Sequence, residues 1–233
     1  MDYLSTLDVS IYRALNFYCG SSPALDRVVL HLATFSGALF MGIFGLLWFR
    51  QDCRQFRRRK TLVLLVPAVA IALIINRTIS TVLPFRLRPM YELGANVPSH
   101  PWMFDLEHWS SFPSDTATYL FVVTACLWAV SRPFGLLFGV FSTCVALARV
   151  YFGIHYPGDI LVGALLGLAV GYAFNTEAIR DTVGRALMGL EKRMPQYFYA
   201  VLFMGLAEVA GNFQATRHIG MAVVGMFRGY GGV

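Results

Sequence analysis

Charge is scarce in this chain. Of its 233 residues only 14% are Asp, Glu, Lys or Arg, while 57% are hydrophobic. A soluble domain is typically about 25% charged, so a water-facing surface of ordinary ionic content is excluded. Intrinsic disorder is excluded as well, because it requires low hydrophobicity. Cysteine is sparse: Cys19, Cys53, Cys126 and Cys144 form no CxxC pair, and Cys126 and Cys144 lie in apolar runs. They read as small buried hydrophobes, not as a disulfide frame or a zinc site. The N-terminus has an acid at position 2 and no basic stretch before its first apolar residues, which is unlike a cleavable signal peptide. Internal repeats and low-complexity domains are missing.

Long apolar runs are what the chain has instead, and its mean hydropathy is +0.58. An all-α, polytopic membrane helix bundle of one domain fits. Six stretches can serve as transmembrane helices: 29–49, 61–82, 115–131, 134–150, 159–175 and 196–213. Several are shorter than the roughly 20 residues that span a bilayer, which a bundle with partly wet ends tolerates.

The connectors orient the bundle. Residues 50–60, RQDCRQFRRRK, carry six basic residues and one acid, and Arg132, Arg180, Arg185, Lys192 and Arg193 fall on the same side of a six-span arrangement. The positive-inside rule makes that side cytoplasmic. The net charge of +6 is thereby a matter of topology, and no nucleic-acid partner is expected. A reading of the 54–60 cluster as an anionic-lipid site stands beside the topological one. Both termini and the 83–114 loop then face outward.

Residues 1–28 form an N-terminal segment. Within it Leu4, Leu7, Ile11, Leu15 and Tyr18 recur at helical spacing, predicting an amphipathic helix lying in the outer interface. The membrane domain covers 29–213, and 214–233 is a Gly-rich tail. Gly163, Gly167 and Gly171 recur every four residues in the fifth run, a stripe that lets another helix approach closely.

Polar residues near membrane spans carry the functional signal, since a charge at a span centre costs about 2.5–3.5 kcal/mol on insertion scales. Arg77, Arg86, Arg88, Ser114, Asp115, Arg149, His155 and Asp159 all fall at outward span ends, in segments that include FRLRP (85–89), FPSDT (112–116) and ARVYFGIHYPGD (148–159). Their chemistry converges on phosphate. Arg88 and Arg149 offer planar forks that match phosphate oxygens. Ser114 and the amides after it open a helix, whose N–H groups and dipole favour anions. An Asp four residues after a His can hold one imidazole nitrogen and leave the other as a nucleophile. No carboxylate cluster suggests a metal.

These three segments resemble the motifs of the type 2 phosphatidic-acid phosphatase superfamily, which includes vanadium haloperoxidases: Lys-x6-Arg-Pro, Pro-Ser-Gly-His and Ser-Arg-x5-His-x3-Asp. Here the first ends in Arg88-Pro89, the second reads Pro113-Ser114-Asp115-Thr116, and the third has Arg149, His155 and Asp159 in register. The resemblance implies a six-helix membrane phosphatase without cofactor or metal. In it His155 attacks phosphorus, Asp159 orients His155, and Arg88, Arg149 and Ser114, with the Asp115 amide, hold phosphate.

The sequence also departs from the pattern. Thr81 stands where the first-motif Lys falls, Asp115 replaces Gly, Thr116 replaces the His that protonates the leaving group, and Ala148 replaces Ser. Arg77, one helical turn before Thr81, is the candidate replacement cation. Thr116 is a poor proton donor near pH 7, so the substitution favours a leaving group that departs as phosphate. His108 is the first candidate for a substitute acid, and His100, Asp105 and Glu107 are alternatives.

The expected function is a membrane lipid phosphatase or phosphotransferase. It would act on polyprenyl diphosphate or a related lipid phosphate through a phosphohistidine, on the periplasmic or extracytoplasmic face of an inner or plasma membrane. The alternative is a non-catalytic protein of the same fold that binds or transports a lipid phosphate. Self-association is left open.

Overall fold

The computed structural model describes residues 3–94, 106, 108–213, 215–216 and 219. The predicted tail therefore lies almost wholly outside the described residues, as do His100, Asp105 and Glu107. All extended secondary structure among the described residues is helical.

Helix α1 (Tyr3–Asn16) leads through a turn into α2 (Pro23–Phe49), which is capped by Ser22 and has Pro23 at its first position, where a missing N–H costs nothing. The 28/29 boundary drawn from hydropathy falls inside α2. The next run is α3 (Gln55–Val63) and α4 (Leu65–Val82) with a break at Leu64. Pro67 explains the break, because it lacks the N–H that would reach the Val63 carbonyl and its ring crowds that position. A single turn, α5 (Pro89–Glu92), follows Arg88, and then come α6 (Asp115–Val130), α7 (Arg132–Tyr151) and α8 (Pro157–Phe174). Helix α9 (Glu177–Ile179) runs through a π-turn into α10 (Arg185–Arg193), and α11 (Pro195–Ala210) closes the bundle.

Four of these are long and apolar enough to cross a membrane: Pro23–Phe49, Gln55–Val82, Arg132–Tyr151 and Pro157–Phe174. Helices α6 and α11 coincide with the other two predicted runs but are shorter, at 16 residues each.

Helix α6 is the centre of the bundle. It has buried residues on every side, among them Ala117, Leu120, Val123 and Leu127, and α4, α7 and α8 pack around it. The α8 glycine stripe faces α6. A Cβ on Gly163 would stand 2.5 Å from the Ser114 carbonyl oxygen, and one on Gly167 would stand 2.3 Å from that of Thr118. Only hydrogen fits at these positions, so backbone meets backbone. This seam sets the N-termini of α6 and α8 side by side, with the Ser114 N–H donating to the Asp159 carbonyl at 3.1 Å. Asn76 on α4 adds a buried polar tie, donating to the Thr118 hydroxyl at 2.9 Å.

The opposite end is locked by the basic cluster. Arg58 donates to the Leu47 carbonyl at 2.7 Å and to Asp52, Arg59 pairs with Glu191 and lies over the Trp48 ring, and Lys60 pairs with Asp181. These three cations are therefore engaged with the protein itself, where the charge pattern alone allowed a topological or an anionic-lipid reading.

Candidate active site

Three loops converge where α6 and α8 begin. The first helix involved, α7, ends in a turn made by Gly153, whose φ of +69° suits glycine. The Ile154 N–H folds back on the Arg149 carbonyl at 2.9 Å, and the Gly153 carbonyl accepts from Met90 N–H at 2.9 Å. That second bond fastens the Arg88 segment to the His155 loop. The third segment arrives because Ser111 N–H donates to the Arg86 carbonyl at 2.8 Å.

His155 sits at the meeting point, only 2% exposed. Its Nδ1 lies 2.8 Å from the Ser111 carbonyl oxygen. A carbonyl can only accept, so Nδ1 carries the proton and Nε2 keeps its lone pair. Nε2 faces the Arg88 guanidinium, whose Nη1 lies 3.4 Å away and also donates to the Ile154 carbonyl at 3.1 Å. With Nδ1 protonated, Nε2 is the unprotonated nitrogen and accepts from Arg88 Nη1. Burial holds the His155 pKa below its ordinary value of 6.5. Asp159 pulls it upward, and the Arg88 charge adds to the lowering. The ring is therefore neutral near pH 7.

Asp159, fully buried, is held from four directions. Its carboxylate accepts from Arg86 Nη1 and Tyr156 N–H at 2.7 and 2.8 Å and from the Ser111 hydroxyl. Its Oδ2 lies 3.7 Å from His155 Nδ1. The carboxylate thus supports the imidazole by charge from just beyond hydrogen-bond distance, while the Ser111 carbonyl is the direct acceptor.

Ser114 is the N-cap of α6, fully buried, and its hydroxyl accepts from Ala117 N–H at 3.3 Å. The Asp115 carboxylate accepts from Thr116 N–H at 2.7 Å. At this helix N-terminus two amides thus already have side-chain acceptors. The Thr116 side chain is buried, 3.5 Å from Asp115 Oδ1. Arg149 is half-buried in the last turn of α7. Arg77 is exposed on α4, its guanidinium 4.1 Å from the centre of the Trp109 ring, and His108 is exposed in the neighbouring loop. Among the described residues no group of three or more His, Cys, Asp and Glu is arranged to hold a metal ion.

The sequence motifs bring together His155, Asp159 and Arg88 in direct contact, with Ser114 and Arg149 joined to them through the backbone. Three further residues belong here. Arg86 stood among the outward polar residues but had no assigned role, and it bridges Asp159 and Asp8. Ser111 precedes the second motif and binds both His155 and Asp159. Asp8, on α1, had no signal beyond being an acid on an amphipathic helix.

The chain is similar to known membrane proteins. The chain is 26% identical over 164 residues to the bacitracin transport permease protein BcrC of Bacillus licheniformis, covering 70% of this chain and 77% of that one. It is 27% identical over 167 residues to the putative undecaprenyl-diphosphatase YbjG of Escherichia coli K12, covering 71% and 79%. The crystal structure of Aquifex aeolicus LpxE superposes with a TM-score of 0.54 at 25% identity, over 72% of this chain and 93% of that one. With its apolar helices and these relatives, the protein is an integral membrane protein. The PAP2 superfamily profile matches residues 61–178, a stretch that holds α4, α6, α7, α8 and every segment gathered around His155 except α1, and the chain belongs to that superfamily.

Proposed function

We propose that this membrane lipid phosphatase cleaves a polyprenyl diphosphate, or a related lipid phosphate, through a phosphohistidine at His155. The observation that carries the reading is the contact of His155 Nδ1 with the Ser111 carbonyl, which fixes the tautomer and leaves Nε2 unprotonated, facing Arg88. Nε2 forms a bond to the terminal phosphorus, and the bridging P–O bond breaks with its electron pair going to the lipid monophosphate. Arg88 and Arg149, with Ser114 at the α6 N-terminus, neutralise the phosphoryl oxygens. Asp159 balances the imidazolium that develops. Water then attacks phosphorus and the P–N bond breaks with its electron pair returning to Nε2; the proton from water leaves to solvent, phosphate departs and neutral His155 is restored. Another acceptor in place of water would make the same intermediate a phosphotransferase.

Positive charge at the site comes from arginines and amides, so no divalent metal is needed. Phosphate release from purified full-length protein, offered a panel of lipid phosphates and diphosphates in detergent, is expected to persist in EDTA. A loss restored by magnesium would contradict this.

The bundle has six spans in this reading, with α6 and α11 as the short ones and α1 in the outer interface, where its Leu7 and Ile11, and Tyr18 in the turn that follows, remain exposed. The site then opens extracytoplasmically, and the Arg58 end is cytoplasmic. On intact cells, a cysteine placed at Glu92 is expected to react with an impermeant thiol reagent and one at Arg54 not to react. The reverse pattern would invert the topology.

The alternative of a non-catalytic lipid-phosphate carrier has the permease name of one relative in its favour. A carrier has no use for a desolvated imidazole held in one tautomer, which favours the enzyme.

A further inference from the structure

Helix α1 reaches the site through the Asp8 carboxylate. Asp8 Oδ1 accepts the Gly158 N–H at 2.7 Å, and Oδ2 accepts from Arg86 Nη2 at 2.8 Å. Arg86 uses its other terminal nitrogen on Asp159 Oδ1 at 2.7 Å, and its guanidinium lies 4.0 Å from the centre of the Tyr156 ring. Tyr156 in turn meets Tyr12 of α1 edge-on at 6.0 Å. Asn16, one turn further along α1, donates to the Tyr151 carbonyl at 2.8 Å. The fit around the carboxylate is tight. A Cβ on Gly158 would stand 2.8 Å from Asp8 Oδ2.

We infer that Asp8 is a positioning residue for phosphoryl transfer, acting through Arg86 on the Asp159 carboxylate beneath His155. The inference rests on the functional reading above. Two physical effects combine. Geometrically, Asp8 holds one terminal nitrogen of Arg86 and so orients the guanidinium whose other terminal nitrogen binds Asp159. Electrostatically, Asp8, Arg86 and Asp159 together carry one negative charge, which matches the imidazolium formed as His155 takes the phosphoryl group. Without Asp8 the pair Arg86–Asp159 is neutral, and the imidazolium loses its counter-charge. The groups that hold the phosphate, Arg88 and Arg149, are untouched, so the effect falls on the chemical step and not on binding.

The test uses full-length protein in detergent with a polyprenyl diphosphate as substrate. Asp8→Asn is expected to lower kcat about tenfold, the equivalent of about one pK unit of lost charge stabilisation, with KM within about twofold of wild type. Gly158→Ala leaves the charge in place but displaces the carboxylate, and is expected to lower kcat in the same direction. Arg86→Gln is expected to be slower than Asp8→Asn, and the double variant no slower than Arg86→Gln alone, because Asp8 acts through Arg86. A purely structural role would instead reduce the yield of folded protein and leave kcat per folded molecule unchanged. Wild-type kcat in folded Asp8→Asn and Gly158→Ala, or losses that multiply in the double variant, would overturn the inference. If Asp8→Asn does not fold, Gly158→Ala decides alone. Absence of phosphate release from the wild-type protein would instead bring down the functional reading itself, and this inference with it.

Discussion

Replacing His155 by alanine is expected to remove phosphate release, by at least about 10³-fold, with the folded protein recovered at normal yield. Losing the nucleophile of a covalent mechanism leaves only the binding groups, and in other enzymes that leaves a small residue of the original rate. The surrounding frame does not depend on the imidazole. The Tyr156 N–H and Arg86 still bind Asp159, and the Ser114 N–H still binds its carbonyl. The pH dependence follows from the same burial. His155 has its pKa lowered from 6.5 and attacks as the neutral ring, so kcat/KM is expected to be flat through neutrality and to fall only as the pH drops below 6.5. Wild-type release from the alanine variant, or an acid limb above pH 7, would contradict the assignment.

The second large effect concerns the leaving group. With Thr116 where the superfamily pattern has a proton-donating His, expulsion of an alkoxide from a lipid monophosphate should be slow. Expulsion of a phosphate from a diphosphate needs little protonation. Thr116→His is therefore expected to raise kcat/KM for a lipid monophosphate more than for the matched diphosphate. The differential gain should reach up to about 10²-fold, the low end for a positioned general acid. Thr116 is buried beside Asp115 at the start of α6, so a new imidazole there has a carboxylate at hand to favour its protonated form. Equal rates on the two substrates in the native protein would remove this preference. They would direct attention to His108, exposed in the outer loop, as the donor.

Much of this site is legible in the sequence because its strongest constraint is local. His155 and Asp159 are four residues apart, and a loop closed by Gly153 followed by Pro157 at the start of α8 leaves few ways to arrange them. The helices were legible for a similar reason: a bilayer demands uninterrupted apolar runs, and each of the six runs coincides with a helix or, at Pro67, with a broken pair. What stayed hidden depends on pairing across long distances. Asp8 meets Gly158 from 150 residues away, and no pattern in α1 distinguishes that acid from a solvated one. The acceptor for His155 is a backbone carbonyl, that of Ser111, and main-chain groups leave no signature in residue type. The hydropathy pattern showed that the glycine stripe permits close packing. It did not show that the partner is α6, or that the seam is what sets Ser114 against Asp159. Arg77 is a mixed case. Helical spacing made it a candidate replacement for the Lys missing at Thr81, and nothing in the sequence pairs it with Trp109, over whose ring its guanidinium lies.

The most direct measurement of the central claim is to look for the covalent intermediate. Full-length protein mixed with a polyprenyl diphosphate labelled in its terminal phosphate, in EDTA, and quenched in alkali within the first turnover should carry label. Phosphorus bonded to an imidazole nitrogen is lost in acid and survives alkali. An acid-labile, alkali-stable phosphoenzyme is expected, mapped by peptide mass to His155 and missing from the His155→Ala variant. Burst-phase turnover with no labelled protein, or label fixed at any residue other than His155, would contradict it.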